Sequence, residues 1–291
     1  MSTVGFVGLG LMGEGFTRRL VEKGHRVVGF DIDPAKVKAA AGWGVEPASS
    51  AAAVAEAAGV IIVCVINTAA VEDAATGPRG FTAAGHLNGK TCIDVSTTEL
   101  EATHRIAATL AARGMDFVDA PVSGGPGAAK AGTLAIMAGG ADAAIAKVAG
   151  LMRELGSFTH MGGVGTGQAT KLVNQTIVLT NYCVLAEALR LAQAYGVDAA
   201  KIPEALKAGF AGSNMLGPIF PQMLADDFKP RGFARQVLKD LEMLQGAARD
   251  KHVAMPMASQ ALTLYRLLNA SGRAEWDAAS VVSLYPKEGH A

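Results

Sequence analysis

Residues 4–13 read V-G-F-V-G-L-G-L-M-G and join a short apolar run to a helical pattern. The stretch contains the spacing G-x-G-x-x-G, in which glycines turn the chain from a strand into a helix. Backbone N–H groups at the start of such a helix can face a pyrophosphate. The stretch therefore predicts a strand–turn–helix unit that binds a dinucleotide. The predicted cofactor-binding residues of this unit are Gly8, Gly10, Leu11, Met12 and Gly13.

Each glycine of the turn has a separate predicted task. Gly8 would form the tight turn, Gly10 would let the backbone approach the pyrophosphate, and Gly13 would allow close packing of helix on strand. The spacing alone is weak evidence, because glycine-rich chains match it by chance, and an ordinary turn is the alternative. The strand before the turn and the helix after it favour the dinucleotide site.

Asp31 stands at the end of the next predicted strand, 18 residues beyond Gly13. A carboxylate at this position can accept hydrogen bonds from the ribose hydroxyls and would repel a 2′-phosphate. No arginine follows it, since the next residues are Ile32 and Asp33. NAD is therefore favoured over NADP. The alternative is that Asp31 only caps the following helix, a task for which Asp33, directly before Pro34, is better placed.

Strand-like and helix-like segments alternate through the first half of the chain. Such alternation predicts a Rossmann-type α/β fold, a doubly wound parallel sheet with helices on both faces. After about residue 160 the pattern is helical and begins with one long interdomain helix at 167–195. We predict a dinucleotide-binding domain at 1–163 and an all-α domain for substrate binding and oligomerisation at 164–291. The predicted strands are 3–7, 26–30, 60–66, 91–95, 116–119, 133–137 and 158–160.

The composition argues against several classes of protein. Half of the 291 residues are apolar, 18% are charged, and 26 basic residues balance 26 acidic ones. The lack of a basic excess argues against a nucleic-acid partner. No apolar run reaches the ~18 residues of a membrane span and no leader pattern is present, which predicts a cytoplasmic protein with no membrane partner. Cys64, Cys92 and Cys183 form no ligand cluster, so we expect no metal site.

Small polar residues follow two other predicted strands, at Ile66-Asn67 and at Ser96-Thr97. Ligands of such sheets bind at the carboxyl ends of the strands. These residues could therefore face the ribose or the nicotinamide, although ordinary turns at strand ends have the same composition.

Residues 119–127 read D-A-P-V-S-G-G-P-G after another strand end. Ser123, Gly124 and Gly125 could present a hydroxyl and backbone N–H groups to a substrate carboxylate. A flexible turn is the alternative.

Residues 165–175 read G-T-G-Q-A-T-K-L-V-N-Q at the start of the long helix. Lys171 and Asn174 share a helix face, because they are three positions apart. A lysine beside a nicotinamide could exchange a proton with an alcohol while hydride moves, provided that burial or nearby positive charge favours its neutral amine. The alternative for Lys171 is an ordinary solvated lysine. Lys239 is followed by Asp240, and by default we interpret it as a solvated or ion-paired lysine.

Five motifs in order resemble the β-hydroxyacid dehydrogenase family, which includes 3-hydroxyisobutyrate dehydrogenases and 2-hydroxy-3-oxopropionate (tartronate semialdehyde) reductases. The resemblance covers nearly the whole chain. The motifs are G-F-V-G-L-G-L-M-G at 5–13, D-V-S-T at 94–97, D-A-P-V-S-G-G at 119–125, G-x-G-x-x-x-K-x-x-N at 165–174 and K-D-L at 239–241.

The resemblance implies roles for individual residues. Lys171 matches the family's catalytic acid/base, and Asn174 matches its neighbour in the pocket. The loop of Ser123, Gly124 and Gly125 matches the one that binds the substrate carboxylate. Thr97 matches a cofactor-contacting position. Lys239 matches a lysine that closes over cofactor and substrate, which replaces its default interpretation.

The sequence departs from the family pattern at three places. Gln175 stands where many members have a second asparagine, and Ile66-Asn67 stands where many have Leu-Pro. Both changes lie near the expected pocket and leave the substrate open. Semialdehyde reductases of the NADP-using branch typically carry Asn-Arg-Thr where this chain has Asp31-Ile32-Asp33, which favours NAD.

The predicted function is that of an NAD-dependent oxidoreductase acting on a small 3-hydroxy or 2,3-dihydroxy carboxylate, with a pattern reminiscent of the branch that oxidises four-carbon aldonates. The alternatives are a semialdehyde reductase working in reverse, an imine reductase, or a catalytically idle dinucleotide-binding protein. Lys171 argues against the imine reductase, which generally lacks the lysine, and the retained pocket residues argue against the idle protein. Assembly of the family through its helical domain implies a homodimer or a homotetramer.

Overall fold

The structure, a computed structural model, describes residues 2–287. They form two compact units, one ending at Lys171 and the other beginning at Leu172, and the division falls within a single long helix. The strands of the first unit are β1 (Thr3–Val7), β2 (Arg26–Phe30), β3 (Val45–Pro47), β4 (Val60–Val63), β5 (Thr91–Asp94), β6 (Asp116–Asp119), β7 (Val122–Ser123), β8 (Leu134–Gly140) and β9 (Gly156–Gly162).

Helices connect most of these strands. Those of the first unit are α1 (Leu11–Glu22), α2 (Pro34–Ala41), α3 (Ala51–Ala57), α4 (Thr68–Thr76), α5 (Leu100–Ala111), α6 (Gly125–Ala131) and α7 (Asp142–Arg153). The long helix is α8 (Thr166–Ala194), and the second unit continues with α9 (Ile202–Leu206), α10 (Leu216–Leu224), α11 (Ala234–Asp250) and α12 (Pro256–Leu268).

The strands form one mostly parallel sheet in the order β3-β2-β1-β4-β5-β6-β8-β7, with β9 paired to β8. Strands β1 to β6 are mutually parallel. One row of partners runs across the sheet through the last residues of four of them, Val7, Val63, Asp94 and Asp119. The loops that follow these strands therefore leave the sheet at one edge, where ligands bind in folds of this type.

Strand β8 runs antiparallel to β6, which local patterns cannot predict. The chain leaves β6, forms the short β7, and reverses through α6 before it returns as β8 against both strands. The expected doubly wound sheet thus has an antiparallel step at its far side, and β9 then pairs parallel to β8.

Two apolar clusters cover the two faces of the sheet. In β4, Ile62 belongs to one cluster, while Ile61 and Val63 belong to the other. All three side chains are fully buried, as expected for a central strand covered by helices on both faces.

The second unit has its own apolar core, formed by α8, α10, α11, α12 and the C-terminal 3₁₀ segment Ala278–Leu284. Tyr265 is its largest buried side chain and donates a hydrogen bond to the carbonyl oxygen of Ala278 at 2.8 Å. Helix α8 also has the length and hydropathy of a membrane span, with a mean hydropathy of 1.2 over its best window. Long helices in protein cores meet the same criterion, so the observation has little weight.

Candidate active site

The glycine-rich turn joins β1 to α1, and its glycines are required for different steric reasons. Gly8 has a φ of +99°, and a Cβ there would lie 2.1 Å from the carbonyl oxygen of Cys64. A Cβ on Gly13 would lie 2.0 Å from the carbonyl oxygen of Gly8, so glycine lets α1 start close against the turn. At Gly10 an added Cβ meets no atom within 4 Å. The space beside Gly10 can therefore receive a phosphate at the start of α1, where Leu11 is half exposed.

Asp31 follows β2 and connects the glycine turn to the next loop. Its Oδ2 accepts a hydrogen bond from the backbone N–H of Leu9 at 2.7 Å, and its Oδ1 accepts one from the N–H of Asp33 at 2.9 Å. Asp33 itself caps α2 by accepting from the N–H of Ala35 at 2.9 Å. Asp33 therefore caps α2, and Asp31 does not. Asp31 instead accepts a hydrogen bond from the glycine-rich turn, and it lies at the strand end where a ribose would bind.

A groove of about 610 Å³ opens beside Asp31, lined by Phe30, Ile32, Val37 and Ala48 among others. The mostly apolar walls suit the flat face of an adenine. Lys36 places its Nζ 3.8 Å from Asp31 Oδ1, a basic neighbour that we did not single out from the sequence. Its position in the first turn of the helix after Asp31 was the available signal.

Asn67 has a structural task at the end of the β4 segment. Its Oδ1 accepts a hydrogen bond from the N–H of Ala70 at 2.9 Å and caps α4. The preceding Ile66 has 47% of its surface exposed. Asn67 stands where many family members have proline, and its side chain therefore supplies an N-cap for α4.

The loop after β5 is held by buried polar contacts on both sides of Thr97. Asp94 accepts from the N–H of Ser96 at 2.9 Å and from the hydroxyl of Thr98 at 2.6 Å. The Ser96 hydroxyl in turn accepts from the N–H of Val65 at 3.0 Å, which ties this loop to the one after β4. The predicted cofactor position Thr97 thus lies in a loop of fixed backbone.

The predicted carboxylate loop begins in β7. Ser123 is its last strand residue, and Gly124 and Gly125 follow with φ values of +131° and +73°. A side chain on Gly124 would contact Ala128 at 2.7 Å, whereas the space beside Gly125 is open. Open backbone next to a hydroxyl suits an anionic ligand.

The start of α8 is anchored to the end of β6 by a buried carboxylate. Asp119 Oδ1 accepts from the N–H of Gly165 at 2.7 Å, and Oδ2 accepts from the N–H of Gln168 at 2.8 Å. A Cβ on Gly167 would lie 2.4 Å from the carbonyl oxygen of Asp119, so the helix start requires glycine there. We missed this role of Asp119, although the acid opens the D-A-P-V-S-G-G motif.

One turn after this anchor, Lys171 reaches the carboxylate loop. Its side chain is buried, with 7% of the residue exposed, and its Nζ donates to the carbonyl oxygen of Val122 at 2.7 Å. The structure therefore places the amine beside Ser123 and excludes the solvated lysine that was the alternative.

Asp119 predicts a pH dependence of stability. Burial raises its pKa from 3.8 to about 6, although the hydrogen bonds from Gly165 and Gln168 favour the carboxylate. The folded protein therefore holds this proton more tightly than the unfolded chain, so the group stabilises the fold most below about pH 4, and that contribution is lost as the pH rises through about 6.

Replacing Asp119 with asparagine removes this titration. The unfolding free energy of the wild type relative to the variant should fall by about 2 kcal/mol between pH 4 and pH 6.5, since each pKa unit is worth ~1.4 kcal/mol and part of the transition lies outside this range. Urea unfolding across this range measures the difference. The exposed Glu101 of α5, changed to glutamine, gives the reference slope, and equal slopes for the two variants would contradict the prediction.

In the second unit, four polar residues form a chain of contacts. Asn174 Nδ2 donates to Gln175 Oε1 at 2.8 Å, and Gln175 Nε2 donates to Asp240 Oδ2. Lys239 Nζ lies 3.0 Å from Asp240 Oδ1. Gln175, where many family members have asparagine, uses its longer side chain to reach α11. It thereby connects two predicted site residues, Asn174 and Lys239, through Asp240.

No group of three or more His, Cys, Asp or Glu side chains suited to a metal ion occurs among residues 2–287. The donor set of the first unit instead matches a dinucleotide, with the open backbone at Gly10 for phosphate and Asp31 for a ribose.

Comparisons with known proteins agree with these features. Residues 3–176 match the NAD binding domain of 6-phosphogluconate dehydrogenase, and residues 165–285 match the NAD-binding region of NADP-dependent 3-hydroxyisobutyrate dehydrogenase. The chain is 34% identical over 280 residues to the 2-hydroxy-3-oxopropionate reductase of Escherichia coli, covering 96% of this chain and 95% of that protein.

It is also 33% identical over 297 aligned positions to the 3-hydroxyisobutyrate dehydrogenase of Pseudomonas aeruginosa, covering 98% of this chain and 99% of that protein. The crystal structure of a 3-hydroxyisobutyrate dehydrogenase from Salmonella typhimurium matches with a TM-score of 0.89 and 26% identity, covering 98% of this chain and 100% of that one. The family resemblance of the five motifs is thereby confirmed. This chain belongs to the β-hydroxyacid dehydrogenase family of NAD(P)-dependent oxidoreductases.

Proposed function

We propose that the protein is an NAD-dependent dehydrogenase of a small 3-hydroxy or 2,3-dihydroxy carboxylate, with Lys171 as general acid and base. The observation that carries this proposal is the buried contact of Lys171 Nζ with the carbonyl oxygen of Val122 at 2.7 Å. It brings an amine next to a serine and two glycines whose backbone suits a carboxylate. Both halves of a hydroxy acid, its anion and its alcohol, would then meet suitable groups.

When bound, the nicotinamide would supply the acceptor for a hydride from the alcohol carbon. The chain's own residues handle the anion and the proton. The Ser123 hydroxyl and the N–H groups of Gly124 and Gly125 would bind the substrate carboxylate. Lys171 Nζ would take the hydroxyl proton during oxidation and return it during reduction, with Val122 restricting the direction of the amine. Asn174, three positions along α8, would hydrogen-bond the substrate or the amine.

The preference for NAD rests on Asp31. Its carboxylate stands at the carboxyl end of β2 with only 9% of the residue exposed, where it would accept from ribose hydroxyls and repel a 2′-phosphate. Lys36 offsets part of this repulsion from 3.8 Å. NADP remains the alternative cofactor.

Changing Asp31 to asparagine should raise the ratio of kcat/KM for NADP over NAD by ~10-fold or more, since like charges brought together cost several kcal/mol. Asparagine keeps one acceptor for the N–H of Leu9, gives up the one for the N–H of Asp33, and leaves Lys36 available to a phosphate. The ratio is measured by steady-state kinetics with each cofactor. The matched control is Asp33→Asn, which removes the neighbouring carboxylate that caps α2, and an equal ratio in both variants would contradict the role of Asp31.

The test of the function is a panel of hydroxy acids and the corresponding semialdehydes, assayed with both cofactors. We expect oxidation of 3-hydroxy or 2,3-dihydroxy acids such as 3-hydroxyisobutyrate and threonate, and little turnover of 2-hydroxy acids such as lactate. Efficient turnover of semialdehydes alone would identify the reductase alternative. No turnover with intact NAD binding in calorimetry would favour the idle binder.

We also propose a homodimer or homotetramer. Helix α8 exposes Val173, Ile177, Val184 and Leu191, an apolar row that water alone would contact in a monomer. Light scattering on the purified protein measures the mass. A cytoplasmic location and the absence of nucleic-acid and membrane partners remain part of the same proposal.

A further inference from the structure

Gln168 contacts the loop after β5 on both sides of Thr97. Its side-chain Oε1 accepts a hydrogen bond from the N–H of Thr98 at 3.1 Å, and its Nε2 donates to the carbonyl oxygen of Ser96 at 2.9 Å. Only 1% of Gln168 is exposed, and Ser96 and Thr98 are buried too. The single amide therefore holds the backbone immediately before and immediately after the predicted cofactor position.

The backbone of Gln168 makes a buried contact of its own. Its N–H donates to Asp119 Oδ2 at 2.8 Å, next to the contact of Gly165 with Oδ1. Asp119 is the register partner of Asp94, the carboxylate that braces the Thr97 loop from below. Gln168 is thus connected to the ends of two adjacent strands.

Lys171 lies three positions after Gln168 on α8, less than one helical turn away. A shift of Gln168 would therefore move the lysine with it, because the helix between them is rigid. Gln168 therefore joins the Thr97 loop directly to the helical turn that carries the Lys171 amine.

We propose that Gln168 is a positioning residue that keeps the cofactor-contacting loop at Thr97 in register with the acid/base Lys171. The inference rests on the proposed function, in which Thr97 contacts the cofactor and Lys171 exchanges the proton. A misplacement of about 1 Å between reacting groups can cost ~10²-fold in rate, so a residue that sets this distance affects turnover without touching the substrate.

The chemistry of the amide explains why glutamine is needed. One end must accept and the other must donate, since it faces an N–H at Thr98 and a carbonyl oxygen at Ser96. Methionine would leave both buried groups without a partner. Glutamate has the same shape, but its ionised carboxylate would face the Ser96 oxygen with no proton. When it is protonated, the glutamate side chain has one donor and one acceptor, as the amide of glutamine does.

The experiment compares Gln168→Met and Gln168→Glu with a matched control in the second unit. Gln222 is also buried and also makes two side-chain contacts, from its Nε2 to Asp227 O at 3.0 Å and to Asp277 Oδ1 at 2.9 Å. The measurements are kcat, KM, the NAD dissociation constant and the thermal midpoint for each variant, with rates taken well below that midpoint.

We expect Gln168→Met to lower kcat by ~10-fold or more and to weaken NAD binding, while Gln222→Met loses thermal stability but keeps kcat within ~2-fold. For Gln168→Glu, kcat relative to the wild type should rise as the pH falls, because protonation restores the donor. Near-normal kcat and NAD affinity in Gln168→Met would overturn the proposal. So would a relative kcat of Gln168→Glu that does not change with pH, a readout available even if the methionine variant does not fold.

Failure of the proposed function would look different. If Lys171→Ala retains full activity, the acid/base assignment is wrong. A loss of NAD affinity in Gln168→Met would still show that Gln168 supports the Thr97 loop. The part of the proposal that links Gln168 to Lys171 would be wrong, because Lys171 would not be the acid/base. If Lys171→Ala is inactive and Gln168→Met is fully active, the function stands and the positioning role falls.

Discussion

Replacing Lys171 with alanine is expected to lower kcat by at least ~10²-fold while NAD still binds, since a positioned acid or base contributes on that order. The amine is buried against Val122 and beside Ser123, and the methyl group of alanine cannot exchange a proton with the substrate. The substrate KM should change less than kcat, because the proton transfer is made only in the transition state.

A second lysine of the first unit offers a matched control. Lys90 also donates to backbone carbonyl oxygens, those of Ala55 and Glu56, but it directly precedes β5 at the amino edge of the sheet. Lys90→Ala removes a similar contact at the edge opposite to the carboxyl ends of the strands and should leave kcat unchanged. Steady-state kinetics with NAD titrations on both variants make the comparison. Near-normal turnover in Lys171→Ala would show that another group moves the proton.

Changing Gly10 to valine should weaken NAD binding by ~10²-fold or more with only a small loss of stability, that of a less favourable N-cap residue of α1. No atom of the protein lies within 4 Å of a Cβ at this position, so the fold leaves open space where the side chain begins. A phosphate bound against the same backbone would collide with the valine side chain. Overpacking of about 3 kcal/mol corresponds to roughly two powers of ten in affinity.

Gly13→Ala should show the opposite pattern. Its Cβ would lie 2.0 Å from the Gly8 carbonyl oxygen, so α1 must move and the thermal midpoint should fall. Gly59→Val serves as the neutral control for Gly10→Val. An added Cβ at Gly59 also meets open space, but the residue directly precedes β4, at the edge opposite to the glycine-rich turn. Calorimetric NAD titrations and thermal unfolding separate the two effects. Unchanged NAD affinity in Gly10→Val would place the cofactor elsewhere.

Local sequence patterns predict several elements at or near their observed limits. β1, β2 and β6 are predicted at their observed bounds, and α8 within one residue at each end. Short apolar runs and a long helical period are properties of neighbouring residues, so they are readable without the fold. The strand predicted at 60–66 ends earlier, at Val63, because the N–H of Val65 donates to the Ser96 hydroxyl instead.

Other elements are not predicted from local sequence patterns, because contacts with distant parts of the chain stabilise them. The residues of α6, G-P-G-A-A-K-A, are typical of a turn, yet they form a helix packed closely on α1. A Cβ on Gly15 of α1 would lie 2.8 Å from the carbonyl oxygen of Pro126, which shows how near the two helices approach. The alanine-rich α3 and α4 lack a clear apolar period and become helices against the sheet.

The candidate site divides in the same way. Glycine spacing, the acid after β2 and the K-x-x-N spacing on α8 are local, and they suffice to predict a dinucleotide fold and to nominate Lys171. The contacts that make these residues a site join distant parts of the chain: Leu9 to Asp31, Gly165 to Asp119, Gln168 to Ser96 and Lys171 to Val122. Local spacing cannot supply them, because a hydrogen bond between distant residues exists only after the sheet has aligned the ends of its strands.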